Sequence, residues 1–571
     1  MTPTHASPPP PTPPVPSEPV PESRQPSLPL VIVAPAAATA TATATAAVAV
    51  KHSTPSSVDG EPVRKRIRQD STAPTPAAAL TLSPRLKQSL DPGVTYNFVD
   101  NEFVLSRSRS WIKVFDPATQ AFVTRVPEST HEEIVHAVSV AAAAQPAWAA
   151  LSAKARRVKM LQLLALLRDY KPVFCHHISV EVGKTTADAE AEFERGLDAI
   201  ESACATTNEL PGQHVSNAPA EVHTVNEPLG VCLAITPFNF PFMIPLWSIP
   251  YALLAGNTMV LKPSERTPTA AQVLAECFVK AGLPAGVLSI VHGTAGVVSH
   301  LLAQPAIRAV NFVGSDVAGE AVYEHAKATR KRVQAECSGK NHGVVVADAA
   351  RLSTLFAIAG SAFGAAGQRC MALSVAVLVG ETAAWVDELV RVSQRLVLGC
   401  GRDAGVDVGP LITREAKRRV EDLISGAEAE GATVALDGRG YKVHKYPDGN
   451  FVGPTILTGV KPYMTCYQEE IFGPVLVCVT VDTLEEAVAL INDNRSDGNG
   501  CTIFTSSPAT AQKFQRSVNV GQIGVNVPIL APSGPVLRSG NKDSFLGEVN
   551  VHGRSYWQFY TQTKTITTLW S

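Results

Sequence analysis

A short stretch around Cys370, Phe-Gly-Ala-Ala-Gly-Gln-Arg-Cys-Met at residues 363–371, has a composition suited to nucleophilic chemistry. Small residues precede the cysteine from Gly364 to Gly367 and allow other groups to approach it closely. A thiolate attacks a carbonyl carbon and departs readily, so a cysteine placed in this way can act as a nucleophile. The alternative is that Cys370, one of 10 cysteines, packs in a core as most free cysteines do.

A second stretch, Thr-Pro-Phe-Asn-Phe-Pro at residues 236–241, follows a predicted buried strand at 230–235. Ligands of open parallel sheets bind at the carboxyl ends of strands. Asn239 lies between two prolines and is therefore a rigidly placed amide donor. Such a donor can stabilise the oxyanion that forms when a thiolate adds to a carbonyl, an effect of about 10²–10³ in rate. The alternative is an ordinary turn asparagine.

Two further stretches at strand ends have the character of a cofactor site. Lys262 and Glu265 are three residues apart and could hydrogen-bond the hydroxyls of a ribose. A carboxylate at that place would repel a 2′-phosphate, which favours NAD over NADP. Gly314 lets the backbone approach a ligand, and the helix that begins near Ser315 offers free amide groups to a phosphate. This is a single glycine turn and not the GxGxxG fingerprint.

Apolar periodicity places these residues on a regular framework. Short buried strands alternate with amphipathic helices, which predicts βα units and a parallel sheet covered on both faces. Two α/β domains are the natural division. The predicted strands are 230–235, 258–262, 287–291, 309–312, 374–379 and 556–570, and the predicted helices are 153–169, 188–204, 245–254, 269–281 and 383–396.

Composition narrows the class of protein. The 571 residues are 45% hydrophobic and 18% charged, as expected for a globular protein with two or three domains. A net charge of −2 gives no electrostatic signature of nucleic-acid binding. The cysteines form no CxxC or CxxH pair, which argues against a disulfide framework and against a metal site. No apolar run reaches about 18 residues, so we expect no membrane span.

Residues 1–96 differ from the rest of the chain. Proline-rich runs, an Ala-Thr repeat and almost no aromatic residues predict a disordered tail. The basic cluster at 64–68 is either a nuclear-localisation patch or a solvated run of charge. The first 50 residues contain one arginine, Arg24, and two glutamates, which is atypical of a mitochondrial transit peptide.

The stretches around Asn239, Lys262, Gly314 and Cys370, in this order, resemble the NAD(P)-dependent aldehyde dehydrogenase superfamily. The resemblance runs from about residue 97 to the end and includes Glu-Glu-Ile-Phe-Gly-Pro at 469–474. It implies an α/β fold with a Rossmann-type NAD domain, an α/β catalytic domain and a small β bridging arm. The residues that the resemblance implies for NAD binding are Phe238, Lys262, Glu265, Arg266, Gly314, Ser315, Glu470 and Phe472.

The resemblance is strongest to the methylmalonate-semialdehyde dehydrogenases. The segments that carry it are 237–247, 262–266, 364–373 and 559–562. In that branch two arginines hold the substrate carboxylate, and Arg369 and Arg195 stand at the matching places. This is chemically reasonable because guanidinium groups bind carboxylates bidentately. The alternative for Arg195 is a helix salt bridge with Glu192 or Glu194.

One position departs from that branch. Glu336 stands where the branch has asparagine, and in hydrolytic aldehyde dehydrogenases a glutamate there activates the water that cleaves the thioester. The resemblance implies that NAD-dependent oxidation of a (methyl)malonate-semialdehyde-like aldehyde leaves a thioester on Cys370. Its acyl group passes to CoA with decarboxylation, or water activated by Glu336 releases a free acid. A non-catalytic relative is expected to lack Cys370 or Asn239, and both are present.

The implied division of the chain has four parts. A tail (1–96) precedes a NAD-binding domain (97–207 and 230–338), a catalytic domain (339–545) and a bridging arm (208–229 and 546–571). In the family the arm pairs with the terminal strand to bridge subunits, which implies a homodimer or homotetramer. The resemblance implies a mitochondrial location, whereas the composition of the tail leaves a cytoplasmic one open.

Overall fold

The computed structural model describes residues 93–208, 212–217, 220–494, 498–528, 540–547 and 553–570. The predicted disordered tail lies outside the described residues apart from 93–96, and its basic cluster lies outside them entirely. No single helix in the described ranges is long and apolar enough to cross a membrane. The helices at 131–150 and 153–169 meet that test only as a pair bent by 116°.

The strands of the described residues are numbered in chain order. They are β1 (Asn97–Val99), β2 (Glu102–Val104), β3 (Trp111–Phe115), β4 (Phe122–Pro127), β5 (His214–Asn217), β6 (Ala220–Pro228), β7 (Val231–Ile235), β8 (Thr258–Lys262), β9 (Leu288–Ile290), β10 (Ile307–Val313) and β11 (Arg332–Glu336). They continue with β12 (His342–Val345), β13 (Val375–Val379), β14 (Thr433–Leu436), β15 (Thr455–Thr458), β16 (Val475–Val481), β17 (Gly500–Phe504), β18 (Gln522–Val525), β19 (Phe545–Leu546) and β20 (Thr561–Thr568).

The α-helices of the described residues are numbered in the same way. They are α1 (His131–Ala150), α2 (Ala153–Asp169), α3 (Lys171–Glu181), α4 (Thr186–Ala205), α5 (Met243–Ala255), α6 (Thr269–Lys280), α7 (Ala295–Leu302) and α8 (Asp316–Ala328). They continue with α9 (Arg351–Phe363), α10 (Val386–Ser393), α11 (Arg414–Ala429), α12 (Thr465–Gln468), α13 (Leu484–Asp493), α14 (Pro508–Ser517) and α15 (Gly553–Tyr560).

The larger sheet, as far as the chain is described, has eight strands in the order β19-β11-β10-β7-β8-β9-β1-β2. Strands β11, β10, β7, β8 and β9 pair in parallel, and the outer strands pair antiparallel. Strand β7 is buried throughout, and its residues contribute alternately to hydrophobic clusters on opposite faces of the sheet. This explains its continuous apolar run and confirms the predicted parallel sheet with both faces covered.

The second sheet has seven strands in the described residues, in the order β14-β15-β16-β13-β12-β17-β18. All its pairs are parallel except that of β14 with β15. A separate hydrophobic cluster covers this sheet and includes the helix α9 that leads to the Cys370 stretch. The described chain thus has two α/β sheets, each packed against its own hydrophobic clusters.

Two predicted elements are wrong in part. The stretch 556–570 is not one strand, because its first residues belong to α15 and only 561–568 form β20. Aromatic residues at 556, 557, 559 and 560 follow a helical spacing and are buried in the core that also contains α5. The helix predicted for 383–396 is broken: a 3₁₀ turn occupies Gly380–Trp385, and α10 ends at Ser393.

A third sheet joins distant parts of the chain. Strand β20 pairs antiparallel with β6, and β6 pairs with β5, so the predicted pairing of the arm with the terminal strand is present. Strand β19 (Phe545–Leu546) spans the boundary predicted at residue 545 and pairs with β11 of the larger sheet. The backbone pairing of Phe545 with Glu336 places this return beside the candidate site.

Candidate active site

Four candidate stretches meet at one edge of the larger sheet. The register pairs Ile235 with Lys262 and with Phe312, and it pairs Val313 with Glu336. The carboxyl ends of β7, β8, β10 and β11 therefore lie in one row, as parallel pairing requires. The stretches that follow these strands are brought together by that row, although they are far apart in sequence.

The Asn239 loop contacts the Cys370 stretch directly. The Asn239 side chain is 3% exposed, and its Nδ2 donates to the carbonyl of Gln368 over 3.0 Å. Gln368 lies two residues before Cys370, so the predicted amide donor and nucleophile lie on neighbouring segments. Sequence reasoning expected both residues but not this bond.

Helix α4 holds the far end of the Asn239 loop. The Glu192 carboxylate accepts from the backbone N–H groups of Phe242, at 2.9 Å, and Met243, at 3.3 Å, which caps the start of α5. The Lys184 Nζ lies 2.7 Å from Glu192 and 3.6 Å from the ring centroid of Phe240. Both ions are almost completely buried. The sequence analysis named Glu192 only as an alternative partner of Arg195 and did not name Lys184.

The turn before Cys370 has an unusual backbone. Ala365, Ala366 and Gly367 have φ values of 51°, 55° and 70°, in the left-handed region that costs L-residues energy. All ten cysteines lie in the described part of the chain, and Cys370 alone is partly exposed whereas nine are buried. The Asn341 Nδ2 donates to the carbonyls of Cys370 and Ala372, both over 2.8 Å. The predicted nucleophile thus follows a strained turn, and Asn341 holds its backbone carbonyl.

The lysine and glutamate predicted for the cofactor lie side by side. The Lys262 Nζ is 3.8 Å from Glu265 Oε2 and donates to the carbonyl of Gly293 over 3.0 Å. Burial lowers the pKa of Lys262, and the Glu265 carboxylate counteracts part of that effect. Arg266 is partly exposed, with its Nε 3.5 Å from Glu265.

The motif at 469–474 approaches the same edge. The Glu470 carboxylate accepts from the backbone N–H of Gly339 over 3.4 Å, and the Phe472 ring lies edge-on to Phe238 with centroids 6.0 Å apart. Loss of solvation among the surrounding residues raises the pKa of the Glu470 carboxyl to about 8. The fully buried Lys340 donates to the carbonyl of Glu469 over 2.6 Å, and burial lowers its pKa to about 8.

The glycine turn after β10 leads into a helix N-terminus. Gly314 leaves no space for a side chain, because a Cβ would lie 2.5 Å from the Phe312 ring. Ser315 is the N-cap of α8, and its Oγ accepts from the backbone N–H of Ala318. The backbone N–H of Gly314 donates over 3.0 Å to the carbonyl of Glu336, whose side chain is 5% exposed. Glu336 is therefore at the same strand edge as the cofactor stretch.

One of the two predicted carboxylate-binding arginines, Arg369, pairs with an acid that the sequence analysis did not single out. Arg369 Nη2 lies 2.5 Å from Asp188 Oδ1 on the first turn of α4. Burial and the neighbouring charge of Arg369 lower the pKa of Arg195, while Asp188 opposes them. The two acids named above as alternative partners of Arg195 form other ion pairs, Glu192 with Lys184 and Glu194 with Lys171.

The profile of the aldehyde dehydrogenase family matches residues 103–566. The chain belongs to the aldehyde dehydrogenase family. A bovine (Bos taurus) methylmalonate-semialdehyde/malonate-semialdehyde dehydrogenase [acylating], mitochondrial, is 46% identical over 505 residues, covering 86% of this chain and 94% of the relative. The human (Homo sapiens) protein of the same name is 47% identical and covers 83% of this chain and 89% of its own length.

Solved structures agree with this assignment. The methylmalonate-semialdehyde dehydrogenase of Oceanimonas doudoroffii superposes with a TM-score of 0.81 and 38% identity, over 83% of this chain and 98% of that one. A Sinorhizobium meliloti 1021 protein solved with NAD superposes with a TM-score of 0.82 and 38% identity, over 84% of this chain and 98% of that one. The arrangement of two helix-covered sheets described above is the aldehyde dehydrogenase fold.

Proposed function

We propose that this aldehyde dehydrogenase oxidises malonate or methylmalonate semialdehyde with NAD and passes the acyl group to CoA. The observation that supports the proposal is the contact of the Asn239 amide with the Cys370 stretch, which also carries Arg369. The names of the bovine, human and Oceanimonas relatives support the same substrate class.

The residues at the sheet edge fit NAD. The Lys262 and Glu265 side chains lie side by side and can hydrogen-bond ribose hydroxyls, and the N-terminus of α8, which begins after Gly314 and Ser315, suits a phosphate. Glu470 would bind the second ribose, and Phe472 and Phe238 would lie beside the nicotinamide ring. Arg266 and Ser315 would lie at the edge of the cofactor site. The chemistry that NAD supplies when bound is acceptance of the hydride that leaves the aldehyde carbon.

The chain's own residues divide the remaining work. The Cys370 thiolate adds to the aldehyde carbon, and the resulting oxyanion accepts from the Cys370 backbone N–H and from the second Nδ2 proton of Asn239. Arg369 and Arg195 hold the substrate carboxylate and so fix which carbon faces the thiolate. Loss of hydride leaves an acyl thioester on Cys370.

The thioester has two possible acceptors. Transfer to CoA with loss of the carboxylate as CO₂ yields an acyl-CoA and regenerates the Cys370 thiol. The buried carboxyl of Glu336 at the end of β11 favours a second, minor route, in which water is deprotonated and a free acid is released. CoA is the main acceptor in this proposal, and the chain retains a base for hydrolysis.

The acceptor is tested by steady-state turnover of malonate semialdehyde with NAD, with and without CoA, in wild type and Glu336→Gln. We expect CoA-dependent NADH formation with acetyl-CoA as product in both proteins. Residual turnover without CoA should disappear in Glu336→Gln. Rapid turnover without CoA that collapses in Glu336→Gln would overturn CoA as the main acceptor.

We also propose that the chain forms a homodimer or homotetramer through the three-stranded sheet of β5, β6 and β20. Strand β20 lies at the edge of that sheet, and Leu569 and Trp570 beyond it are 64% and 83% exposed. Edge strands and exposed apolar residues favour association. Light scattering of the protein truncated after 560 should give a smaller particle than wild type, and an unchanged mass would contradict the proposal.

A further inference from the structure

Asp188 forms an ion pair with Arg369 and lies on the same helix as Arg195. It lies on α4 seven residues, about two helical turns, before Arg195, so the two side chains share one face of the helix. Its Oδ1 contacts Arg369 Nη2 at 2.5 Å, and both side chains of this ion pair are mostly buried. The Asp188 carboxylate also raises the pKa of Arg195, as do those of Asp198 and Glu192, against the lowering effect of burial.

The other charges nearby are already committed. Lys184 and Glu192 form a buried ion pair that serves the Asn239 loop. Arg369 is further constrained because its guanidinium lies over Gly364, where a Cβ would be only 2.8 Å from Nη1. Asp188 is thus the acid that directly neutralises one arginine of the pair while leaving the remaining N–H groups of Arg369 for a ligand.

Two guanidinium groups without a counter-ion would suit a dianion, because each can bind one carboxylate bidentately. An aldehyde substrate of this class carries one carboxylate, whereas the corresponding free acid carries two. A fixed negative charge beside the arginines disfavours the second carboxylate through short-range repulsion.

We propose that Asp188 is a specificity-determining residue that restricts the arginine pair to monocarboxylates and excludes dicarboxylates of similar length. The inference rests on the proposed role of Arg195 and Arg369 in binding the substrate carboxylate. It explains how a site with two arginines selects malonate semialdehyde over malonate, which differs from it by one oxidised carbon and one charge.

The competing explanation is that Asp188 only orients Arg369. Loss of orientation weakens every carboxylate ligand alike, whereas loss of charge changes the relative affinity for dianion and monoanion. The ratio of two affinities therefore separates the explanations. Coulomb's law at about 7 Å and an effective dielectric constant near 20 to 80 gives a change of between roughly threefold and fiftyfold for one charge.

The experiment measures protection of Cys370 from alkylation by neutral iodoacetamide in the full-length protein at neutral pH. Malonate and propionate are the two protecting ligands, and wild type is compared with Asp188→Asn. Glu201→Gln is the matched control, since Glu201 lies on the same helix but pairs with Arg168 at the exposed surface. This readout needs neither NAD nor turnover, and thermal melting verifies that each variant folds.

We expect Asp188→Asn to increase the malonate-to-propionate affinity ratio about tenfold and Glu201→Gln to leave it unchanged. An unchanged ratio in a folded Asp188→Asn protein that binds both acids would overturn the inference but leave the carboxylate site intact. If neither acid protects wild-type Cys370, the carboxylate-binding part of the proposed function fails, and this inference fails with it.

Discussion

The backbone of Gly367 lies directly against the carbonyl of Gly473: a Cβ at Gly367 would be 2.0 Å from the Gly473 oxygen. Gly367 completes the left-handed turn before Cys370, and Gly473 follows Phe472 in the motif that carries Glu470. The stretch that carries Cys370 and the motif that carries Glu470 are therefore in direct backbone contact. The contact explains why residue 367 must be glycine, although the two segments are about 100 residues apart in sequence.

Gly367→Ala should damage both stability and cofactor binding. The new methyl group meets backbone atoms that cannot rotate away, and φ at this position is 70°. We expect a loss of about 1–3 kcal/mol in the free energy of unfolding, together with a raised KM for NAD. Gly360→Ala is the matched control, because that helical glycine has open space and its replacement should be neutral or stabilising. Equal melting temperatures and equal KM values for the two variants would contradict the importance of this contact.

Replacement of Asn239 by alanine should slow the chemical step. Removing one oxyanion donor is expected to lower the rate constant of the NADH burst by about 10²–10³, with a smaller change in the KM for aldehyde. Asn239→Asp, which has the same shape but a negative charge, should be slower still. Rapid-mixing absorbance measurements give the rate constant, and a burst within threefold of wild type in Asn239→Ala would exclude the proposed role.

Glu192 should act on catalysis through the position of Asn239. Glu192→Gln leaves the buried Lys184 without its charge partner and weakens the cap of α5, so we expect a reduced burst rate. In an Asn239→Ala background the same substitution should have little further effect on the rate. A double-mutant cycle measures this coupling. Additive losses would show that Glu192 contributes only to general stability.

Affinity for NAD should depend on pH through Glu470. Its pKa of about 8 lies above the ordinary value, so the carboxyl is protonated below pH 8 and becomes a two-oxygen acceptor for ribose hydroxyls above it. We therefore expect the KM for NAD to fall as the pH rises through about 8. The pKa of Lys340 is also about 8, and the positive charge that Lys340 carries while protonated favours the ionised form of Glu470.

The control for this profile is Glu469→Gln, which removes the neighbouring but exposed carboxylate that contacts Arg419. It should retain the pH dependence, whereas Glu470→Gln should abolish it. Fluorescence titration of NADH binding between pH 6.5 and 9.5 tests the two variants. A pH dependence that survives in Glu470→Gln would assign it to another group.

Much of the fold could be predicted because its signals are local. Helix α2 and strand β8 have the predicted limits, since amphipathic spacing and a short apolar run are readable without tertiary information. The terminal segment could not be predicted in the same way. Its aromatic residues have high strand propensity, and the helix is fixed by their burial: the Tyr556 ring packs against Tyr251 with centroids 5.2 Å apart and ring planes tilted by 34°.

The candidate site also has residues that the sequence identifies and residues that only the folded chain shows. Cys370 and Asn239 were identifiable because their neighbours, glycines and prolines, have distinctive backbone requirements. Asp188, Glu192 and Lys340 carried no such signal, because a charged residue on a helix or in a loop is usually solvated. Only the folded chain shows that Lys340 is fully buried and that Asp188 faces Arg369. For Asp188 and Glu192, the only indication in the sequence was that acidic residues recur along α4.

The most direct measurement is a single turnover of malonate semialdehyde and NAD without CoA, followed by intact mass analysis and peptide mapping. We expect a rapid NADH burst stoichiometric with subunits and an acyl group attached to Cys370, which leaves upon addition of CoA as acetyl-CoA. Cys370→Ala should give neither burst nor adduct. A burst with the acyl group on another residue, or continued fast turnover without CoA, would contradict the account.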